Sequence, residues 1–351
     1  MTKSLYSLAM RWLKRIGIGT LALLVAAMLG GTVYEMWARH RVAAEFAPPG
    51  KLVDIGGRRI HLDCRGVVRR PIVVFESGLD MYGSLSWSAV QDRVAQTTRA
   101  CSYDRAGILW SDRAPGARNG AAVAADLHAA LQAAGEPGPY VMVGHSLGGP
   151  YVMTFVQQFG DDVAGVVLVD ASHPDQQQKL REAVGQQVEP SMAGPKLGAA
   201  LAWMGVPRLV AGSIGHPQAP ARANAAMSAY LPTSLGPMLD EQAAIDQTFE
   251  DAGALRSLGD RPLVVLTAAA PLKAADLAAL KLTNEQGQRL QSVWLDLHDD
   301  EASWSSHSRQ VRLQDSHHYI QFERPDAVID AVREVVESIR TTTPDGPSFR
   351  Q

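Results

Sequence analysis

The sequence predicts an α/β protein with a doubly wound, mostly parallel sheet and a transmembrane helix ahead of it. Short apolar runs typical of buried strands alternate with segments of helical spacing, as in sheets covered by helices on both faces. One run stops at Gly144-His145-Ser146-Leu147-Gly148, and a helix-compatible segment follows directly. Near the N-terminus, 19 uncharged residues from Ile16 to Tyr34 are long enough to cross a bilayer as a helix.

The individual elements follow from local patterns. Strands are expected at Leu52–Ile55, Arg58–Cys64, Pro71–Glu76, Arg99–Tyr103, Tyr140–Val143, Val163–Val169, Leu263–Thr267 and Gln310–Leu313. Helices are expected at Trp87–Ala95, from an Asn119 cap to Ala134, at Pro150–Phe159 and at Asp326–Arg340. Gly56 and Gly57 supply the positive φ that a hairpin between the first two strands needs.

The succession of predicted strands also divides the chain into regions. Residues 1–41 are predicted as a membrane anchor and residues 42–50, with two prolines and a glycine, as a linker. Residues 51–170 and 259–340 form the α/β core. Residues 171–258 lack strand-like runs and are predicted as a helical cap over the carboxyl edge of the sheet, where ligands bind in such folds. Residues 341–351 are expected to be a disordered tail.

The charges around the apolar run predict its orientation. Lys3, Arg11, Lys14 and Arg15 precede it, which favours a cytoplasmic N-terminus and an extracytoplasmic location for residues 42–351. A cleaved signal peptide with secretion is the alternative, but the run is long for one and no small-x-small cleavage site follows. An uncleaved anchor is favoured, and residues 42–351 are then expected to be soluble and active once the anchor is removed.

The composition and charge of the chain argue against several classes of function. Residues 1–41 hold six Lys/Arg and one acid, a net of +5, so the total of −3 leaves −8 on residues 42–351. This acidic part shows no basic patch for nucleic acid. The two cysteines, Cys64 and Cys101, form neither a Cys-x-x-Cys pair nor a zinc-type spacing. No metal or cofactor is predicted, and nothing in the sequence indicates an oligomeric state.

The Gly144–Gly148 segment has the chemistry of an activated serine. A direct turn from strand to helix holds Ser146 in strained dihedrals at the carboxyl end of the sheet. Gly144 and Gly148 lack a Cβ, so strand and helix can approach each other beside the serine. An ordinary Gly/Ser turn is the alternative, and the flanking strand and helix favour a nucleophile. A serine hydroxyl requires a general base, for which histidine is suited.

Four segments, in this order, resemble the α/β-hydrolase superfamily over about residues 50–340. They are Glu76-Ser77-Gly78-Leu79, similar to the His-Gly oxyanion loop with Glu-Ser replacing histidine; Tyr103-Asp104-Arg105-Ala106-Gly107; Gly144-His145-Ser146-Leu147-Gly148-Gly149; and Ser316-His317-His318-Tyr319-Ile320. Leu109 stands where the second loop has a further glycine, so a different loop shape is expected there. The resemblance implies the α/β-hydrolase fold, without a cofactor.

The resemblance also implies the base and the oxyanion donors. The family's histidine precedes a Glu by five residues and a Pro by seven; His318 meets both distances, to Glu323 and Pro325, and His317 misses by one. The family's positions for the two backbone N–H donors to the oxyanion fall on Leu79 and Leu147.

The other histidines have less specific interpretations. His145 is expected to be a packing residue. His298 and His307 are expected in an acidic, solvated loop rather than at a metal site.

The acid that orients the base is predicted to be Asp170. Most of the superfamily places this acid after the strand that follows the cap, where the first carboxylate is Asp276, nine residues past Thr267. Asp170 directly ends the strand after the nucleophile helix, at the same edge as Ser146, as in some lipases and dehalogenases of the superfamily. Asp276 is the alternative acid, and Asp170 would then only cap the first cap helix.

In the family's sheet, the strand carrying Cys64 neighbours the strand carrying Cys101. Adjacent strands lie roughly 5 Å apart, within disulfide reach if the register agrees. An extracytoplasmic location would let the bond persist, and two buried reduced cysteines are the alternative.

Together these features predict a serine hydrolase that cleaves a small-molecule carboxylic ester through an acyl-enzyme. Thioesterase, amidase or peptidase, C–C hydrolase and perhydrolase chemistries use the same serine and stay open. Ser146 argues against superfamily members with an aspartate nucleophile, such as haloalkane dehalogenases and most epoxide hydrolases. A non-catalytic, membrane-tethered binding module is less favoured because no triad member is missing. The acyl and alcohol groups of the ester are not predicted from the sequence, because the cap sets the shape of the pocket.

Overall fold

The computed structural model describes residues 2–67, 69–185 and 191–342, which form one eight-stranded sheet with helices on both faces. The strands are β1 (Lys51–Asp54), β2 (Arg59–Arg65), β3 (Ile72–Glu76), β4 (Ala100–Tyr103), β5 (Tyr140–His145), β6 (Val163–Val169), β7 (Leu263–Ala268) and β8 (Ser308–Leu313). Their order is β1-β2-β4-β3-β5-β6-β7-β8. Only the β1–β2 and β2–β4 pairs are antiparallel, which confirms the predicted doubly wound, mostly parallel sheet.

The helices of the described residues precede, connect and follow these strands. They are α1 (Thr2–Glu45), α2 (Gln91–Val94), α3 (Gly120–Ala133), α4 (Gly148–Phe159), α5 (Gln176–Val184), α6 (Ala193–Ala200), α7 (Arg208–Ala211), α8 (Ala221–Ala243), α9 (Ile245–Gly253), α10 (Ala274–Ala279), α11 (Asn284–Ala302), α12 (Ile320–Glu323) and α13 (Pro325–Thr342). Short 3₁₀ turns cover Gly83–Trp87, Gly160–Asp162 and Ala202–Met204.

The central strands are apolar throughout because both of their faces are covered. Side chains alternate along a strand, so Val73 and Phe75 of β3 face α13, whereas Ile72 and Val74 face α3 and α4. Every residue of β3 is buried, as expected for a parallel strand between two helical layers. This packing holds the carboxyl ends of β3, β5, β6, β7 and β8 at one edge of the sheet.

Two local predictions are confirmed in detail. The hairpin pairs Asp54 with Arg59, and Gly56 and Gly57 take φ values of 100° and 93° between them. The Asn119 side chain accepts a hydrogen bond from the Ala122 N–H and so caps α3.

Three predictions about element limits and one about the position of a histidine were wrong. The helix expected at 87–95 is a 3₁₀ turn followed by the single-turn α2. The linker expected at 42–50 begins inside α1, which continues to Glu45. The tail expected from 341 is still helical at Thr342, and residues 343–351 lie outside the described part of the chain. His298 belongs to α11, a helix hidden from sequence analysis by its many polar residues, although Thr283 and Gln286 form a capping box before it.

The segment between β6 and β7 contains the cap helices α5 to α9, with residues 186–190 outside the described part. Its longest helix, α8, packs through Leu231 and Leu235 onto Ile108 and Leu109 of the loop after β4. The cap therefore rests on loops at the carboxyl edge of the sheet.

The N-terminal helix α1 is a candidate transmembrane helix. Its apolar stretch lies within Met10–Glu45 and is not buried against the rest of the chain. A disulfide joins Cys64 of β2 to Cys101 of β4, and these two residues are directly paired in the register of the strands.

Candidate active site

Ser146 lies in a sharp turn between β5 and α4. Its φ of +53° is in the left-handed region that disfavours a side chain. A Cβ on Gly144 would lie 2.6 Å from the Gly148 carbonyl oxygen, and one on Gly148 would lie 2.5 Å from the Glu76 carbonyl oxygen. Only glycine permits these contacts, so both glycines keep β3, β5 and α4 close together around the serine.

A chain of two hydrogen bonds connects the predicted triad residues. His318 Nε2 lies 2.9 Å from Ser146 Oγ, and His318 Nδ1 lies 2.7 Å from Asp170 Oδ2. His318 comes from the loop between β8 and α12, and Asp170 directly follows β6. The structure thus brings together three side chains that are separated by up to 172 positions in the sequence.

The buried Asp170 carboxylate is held in its charged form. Burial would raise its pKa, but the hydrogen bond from His318 and the nearby His318 and His298 rings bring the net pKa below its usual value. Its second oxygen, Oδ1, accepts hydrogen bonds from the Ala268 N–H at 2.9 Å and Trp294 Nε1 at 3.0 Å. The carboxylate therefore does not serve as a cap of the first cap helix.

The alternative acid has a different role. Asp276 is exposed, and its side chain accepts a hydrogen bond from the Lys273 N–H at the start of α10. The structure places Asp170, and not Asp276, against His318. Trp294 of α11 was missed by sequence analysis, because nothing in its local sequence shows that this helix returns over β7.

The remaining histidines stabilise the surrounding loops. Burial lowers the pKa of His145 to about 3, and its neutral ring donates from Nε2 to the His318 carbonyl oxygen at 2.9 Å. His298, expected in a solvated loop, is instead buried between Ala171 O and Thr267 Oγ1, and burial lowers its pKa. His307 contacts the Asp260 carbonyl oxygen through Nδ1.

Glu323 explains why the spacing of the histidine loop matters. Its carboxylate accepts a hydrogen bond of 2.6 Å from the His317 N–H and lies 3.3 Å from His317 Nδ1. This contact holds the residue before His318, whose ring reaches Ser146, while the His317 ring faces Glu323 at the wall of the same cavity.

The two predicted oxyanion donors lie on either side of the serine. Within the described residues, the N–H groups of Leu79 and Leu147 have no hydrogen-bond partner. A Cβ on Gly78 would lie 2.9 Å from Ser146 Cβ, so the loop after β3 closely approaches the serine. Leu79 and Leu147 also share one small apolar cluster.

Beneath this loop lies a buried ion cluster that sequence analysis missed. Arg105 binds Glu76 at 2.7 Å and Glu241 of α8 at 2.8 Å, and all three side chains are at most 2% exposed. Arg105 also donates to the Gly78 carbonyl oxygen at 2.6 Å. Burial, countered by Arg105, raises the pKa of Glu76 to about 7. The feature of the sequence that could have indicated this cluster is the Glu76-Ser77 pair, which stands where the family has a histidine.

The loop after β4 has a strained leucine. Leu109 takes a φ of 44°, the left-handed region that glycine normally occupies, and its N–H donates to Ser234 Oγ of the cap at 3.0 Å. The loop therefore adopts here a conformation that glycine would favour, and the cap holds it.

A cavity of about 620 Å³ opens above the three side chains. Its walls include Leu180 and His216 of the cap, and Leu272, Leu290 and Trp294 from the segment between β7 and β8. Among the described residues, the one compact His/Cys/Asp/Glu group of three is Cys64, Cys101 and Glu136, whose sulfurs are joined in the disulfide.

The sheet order, the strand–turn–helix around Ser146 and the cap after β6 define a protein with the α/β-hydrolase fold. A family model described as alpha/beta hydrolase fold matches residues 70–190, which supports a member of that superfamily. Solved structures agree across most of the chain.

One is a thermophilic esterase from Thermogutta terrifontis, with 19% identity, a TM-score of 0.55 and coverage of 82% of this chain and 98% of that one. Another is a probable hydrolytic enzyme from Pseudomonas aeruginosa PAO1, with 17% identity, a TM-score of 0.61 and coverage of 83% and 95%. At these identities the likeness is one of fold.

Curated relatives match shorter segments. The probable transporter efuK of Hormonema carpetanum is 34% identical over 128 residues, 34% of this chain and 18% of that protein. An uncharacterized vacuolar membrane protein of Saccharomyces cerevisiae is 30% identical over 133 residues, 33% of this chain and 21% of that protein. The chain thus spans about a fifth of the length of these relatives.

Proposed function

We propose that the protein is a serine hydrolase that cleaves a carboxylic ester through an acyl-enzyme. The observation that carries the proposal is the continuous Ser146–His318–Asp170 hydrogen-bond chain, with distances of 2.9 and 2.7 Å. A serine, a histidine in hydrogen-bond reach and a buried carboxylate on the other ring nitrogen form the arrangement needed to activate a hydroxyl.

Each group has a defined step. His318 Nε2 takes the Ser146 Oγ proton as Oγ attacks the ester carbonyl carbon, and the resulting oxyanion accepts hydrogen bonds from the Leu79 and Leu147 N–H groups. His318 returns the proton to the leaving alkoxide, and an acyl-serine forms. A water, deprotonated by His318, then releases the acid and restores the serine. Asp170 stays ionised and stabilises the imidazolium.

The cavity favours an ester with an apolar part. Leucines 180, 272 and 290 and Trp294 provide apolar walls, whereas Gln176 and His216 add polar contacts. An apolar wall with a few polar groups is typical of small-molecule sites.

The protein is also proposed to be anchored by α1, with residues 42–351 outside the cytoplasm. Four basic residues, Lys3, Arg11, Lys14 and Arg15, precede the apolar stretch of the helix. The Cys64–Cys101 disulfide fits an oxidising compartment. The name of the Saccharomyces cerevisiae relative, a vacuolar membrane protein, is compatible with membrane association.

The test is a panel of p-nitrophenyl esters of increasing acyl length, combined with fluorophosphonate labelling of the detergent-solubilised full chain. The wild-type protein is expected to hydrolyse members of the panel and to be labelled. Ser146→Ala should lose labelling, with turnover lowered by about six orders of magnitude, as nucleophile deletion does in a serine protease. Hydrolysis near the wild-type rate in the Ser146→Ala protein would disprove the proposal.

A further inference from the structure

The cap exposes an unusual amount of apolar surface. Outside α1, the described residues include seven exposed large apolar side chains, and five of them fall between residues 197 and 214. These five, termed here the cap apolar surface, are Leu197, Trp203, Leu209, Val210 and Ile214. Leu209 alone is 84% exposed. Such a concentration on one short segment marks a surface that contacts something apolar.

The outward direction of these side chains is not a consequence of poor packing. Their neighbours Ala199 and Ala211 turn inward and pack with Leu231 and Leu235 of α8. Arg208 also donates to the Ala229 carbonyl oxygen of α8 at 2.9 Å. The segment is therefore well attached on its inner face, while its outer face remains apolar.

The charge of this segment differs from that of the rest of the domain. Residues 191–239 contain no Asp or Glu, and their charged side chains are Lys196, Arg208 and Arg222. Residues 42–351 as a whole carry a net charge of −8 (−3 minus the +5 of residues 1–41). An acidic domain is repelled by an anionic lipid surface, and this segment is the part that lacks the repelling groups.

The segment is packed directly against α1. A Cβ on Gly31 would lie 2.8 Å from the Met204 carbonyl oxygen, so α1 and the 3₁₀ turn Ala202–Met204 touch through their backbones. One turn later, Glu35 is 1% exposed and binds Arg208 at 2.6 Å and Arg39 at 2.8 Å. These contacts attach the cap to α1 around residues 31–35.

The contact sets the depth of the cap relative to the bilayer. Gly31 is still within the uncharged run that ends at Tyr34. At about 1.5 Å of rise per residue, it lies roughly 4–5 Å before Tyr34 along the helix. Met204 and its exposed neighbour Trp203 therefore lie level with the last turn of the span. Tyr34 and Trp37 are exposed at the same level, as aromatic residues are at bilayer interfaces.

We propose that the cap apolar surface rests in the interface of the same bilayer that α1 spans, as a second membrane contact. The proposal rests on membrane anchoring by α1, as proposed above, and not on the ester chemistry. The cap apolar surface adjoins the candidate active site. His216 follows Ile214 by two residues and lines the cavity, and its Nε2 lies 3.5 Å from the Glu323 carboxylate of α12.

The experiment places one spin label on the full-length chain. Cys64 and Cys101 are paired, so Leu209→Cys provides a single reactive thiol. The labelled protein is reconstituted into vesicles of phosphatidylcholine and phosphatidylglycerol, and its collision rates with oxygen and with a water-soluble nickel complex are measured. Leu24→Cys in α1 is the lipid reference. Val67→Cys is the aqueous reference, because it is exposed and precedes β3 at the opposite edge of the sheet.

The label at 209 is expected to collide with nickel severalfold less often than the label at 67, and with oxygen more often, as the label at 24 does. Nickel collisions at 209 equal to those at 67, with 24 in lipid, would overturn the docking while leaving the anchor intact. Collision rates typical of water at both 24 and 209 would overturn the docking and also the membrane anchoring by α1. Dipolar broadening at 209 that disappears on dilution with unlabelled protein would instead show a second copy on this surface, and would also overturn lipid docking.

Discussion

At the scale of single residues, each carboxylate oxygen of Asp170 has its own hydrogen-bond partners. Oδ2 holds His318, and Oδ1 accepts from the Ala268 N–H and from Trp294. This double attachment fixes both the direction of the carboxylate and its charge. An amide at this position would keep the shape but offer His318 a donor or a weaker acceptor.

Asp170→Asn is therefore expected to lower turnover by about four orders of magnitude, the effect of the equivalent change in trypsin. The matched control is Asp276→Asn, which neutralises an exposed carboxylate that caps α10 and lines the cavity without contacting His318, and it should stay within a few-fold of wild type. Turnover on the best ester of the panel measures both. If the Asp276→Asn protein were inactive and the Asp170→Asn protein active, the triad acid would be Asp276, at the superfamily's more usual position, and the assignment of Asp170 would be wrong.

His145 gives a prediction for pH. Its folded pKa of about 3 is below its unfolded value, so the folded chain keeps it neutral while the unfolded chain takes up a proton. Stability from this group is thus full above pH 6.5 and declines as the pH falls toward 3, by about 2 kcal/mol at pH 5. His145→Gln keeps an N–H donor for the His318 carbonyl but cannot titrate.

The measurement is the free energy of unfolding of wild-type and His145→Gln protein at pH 7.5 and pH 5. The loss on acidification should be smaller in the variant by about 2 kcal/mol. Equal losses in the two proteins would show that His145 is not the group responsible.

At the scale of elements, Arg105 connects three of them. It binds Glu76 at the end of β3, Glu241 of α8 and the Gly78 carbonyl oxygen of the loop after β3. Because each partner would be costly to bury alone, the cluster is stable only when cap and sheet are assembled together. The position of the Leu79 N–H thus depends on an ion pair with the cap.

The disulfide acts between elements β2 and β4. Its cysteines are 37 positions apart, so the bond restricts the unfolded chain and should contribute about 4 kcal/mol. Replacing Cys64 and Cys101 together by alanine should lower the melting temperature and leave ester turnover unchanged, since neither lines the cavity. Reduced wild-type protein is the matched control and should melt with the variant. An unchanged melting temperature would contradict the prediction.

At the scale of the whole molecule, α1 and the cap form one packed body. Removing residues 1–41, which is expected to leave residues 42–351 soluble and active, would also remove Glu35 and leave the Arg208 guanidinium without its charged partner. Glu35 is 2% and Arg208 12% exposed at the side chain, so the pair is well shielded from water. Deleting residues 1–41 is therefore predicted to weaken the attachment of the cap.

Glu35→Gln should accordingly destabilise the attachment of the cap by about 3 kcal/mol, since it leaves a guanidinium without its charged partner. Limited proteolysis of the reconstituted full chain should cut faster between residues 191 and 220, while fluorophosphonate labelling of Ser146 persists. The matched control is Glu45→Gln, because Glu45 is an exposed residue of the same helix. Equal cleavage rates in both variants would show that the ion pair does not hold the cap.

The sequence by itself determined the features that depend on short stretches of chain. Apolar runs marked the strands because a parallel strand is buried on both faces, and Gly144 and Gly148 marked the turn at Ser146 because a Cβ has no room there. The position of Asp170 at a strand end indicated its edge of the sheet, since the carboxyl ends of parallel strands coincide.

Only the tertiary structure decided the contacts between distant segments. Trp294, Arg105 and Glu241 reach the site from helices and loops whose return over the sheet depends on packing, not on local pattern. The polar sequence of α11 hid a helix that is buried against β7 and the cap. Likewise, the attachment of α1 to the cap requires Gly31 to meet Met204 and Glu35 to meet Arg208, over 170 residues away along the chain. The sequence separation of such pairs follows no recognisable pattern, because only folding brings the two residues together.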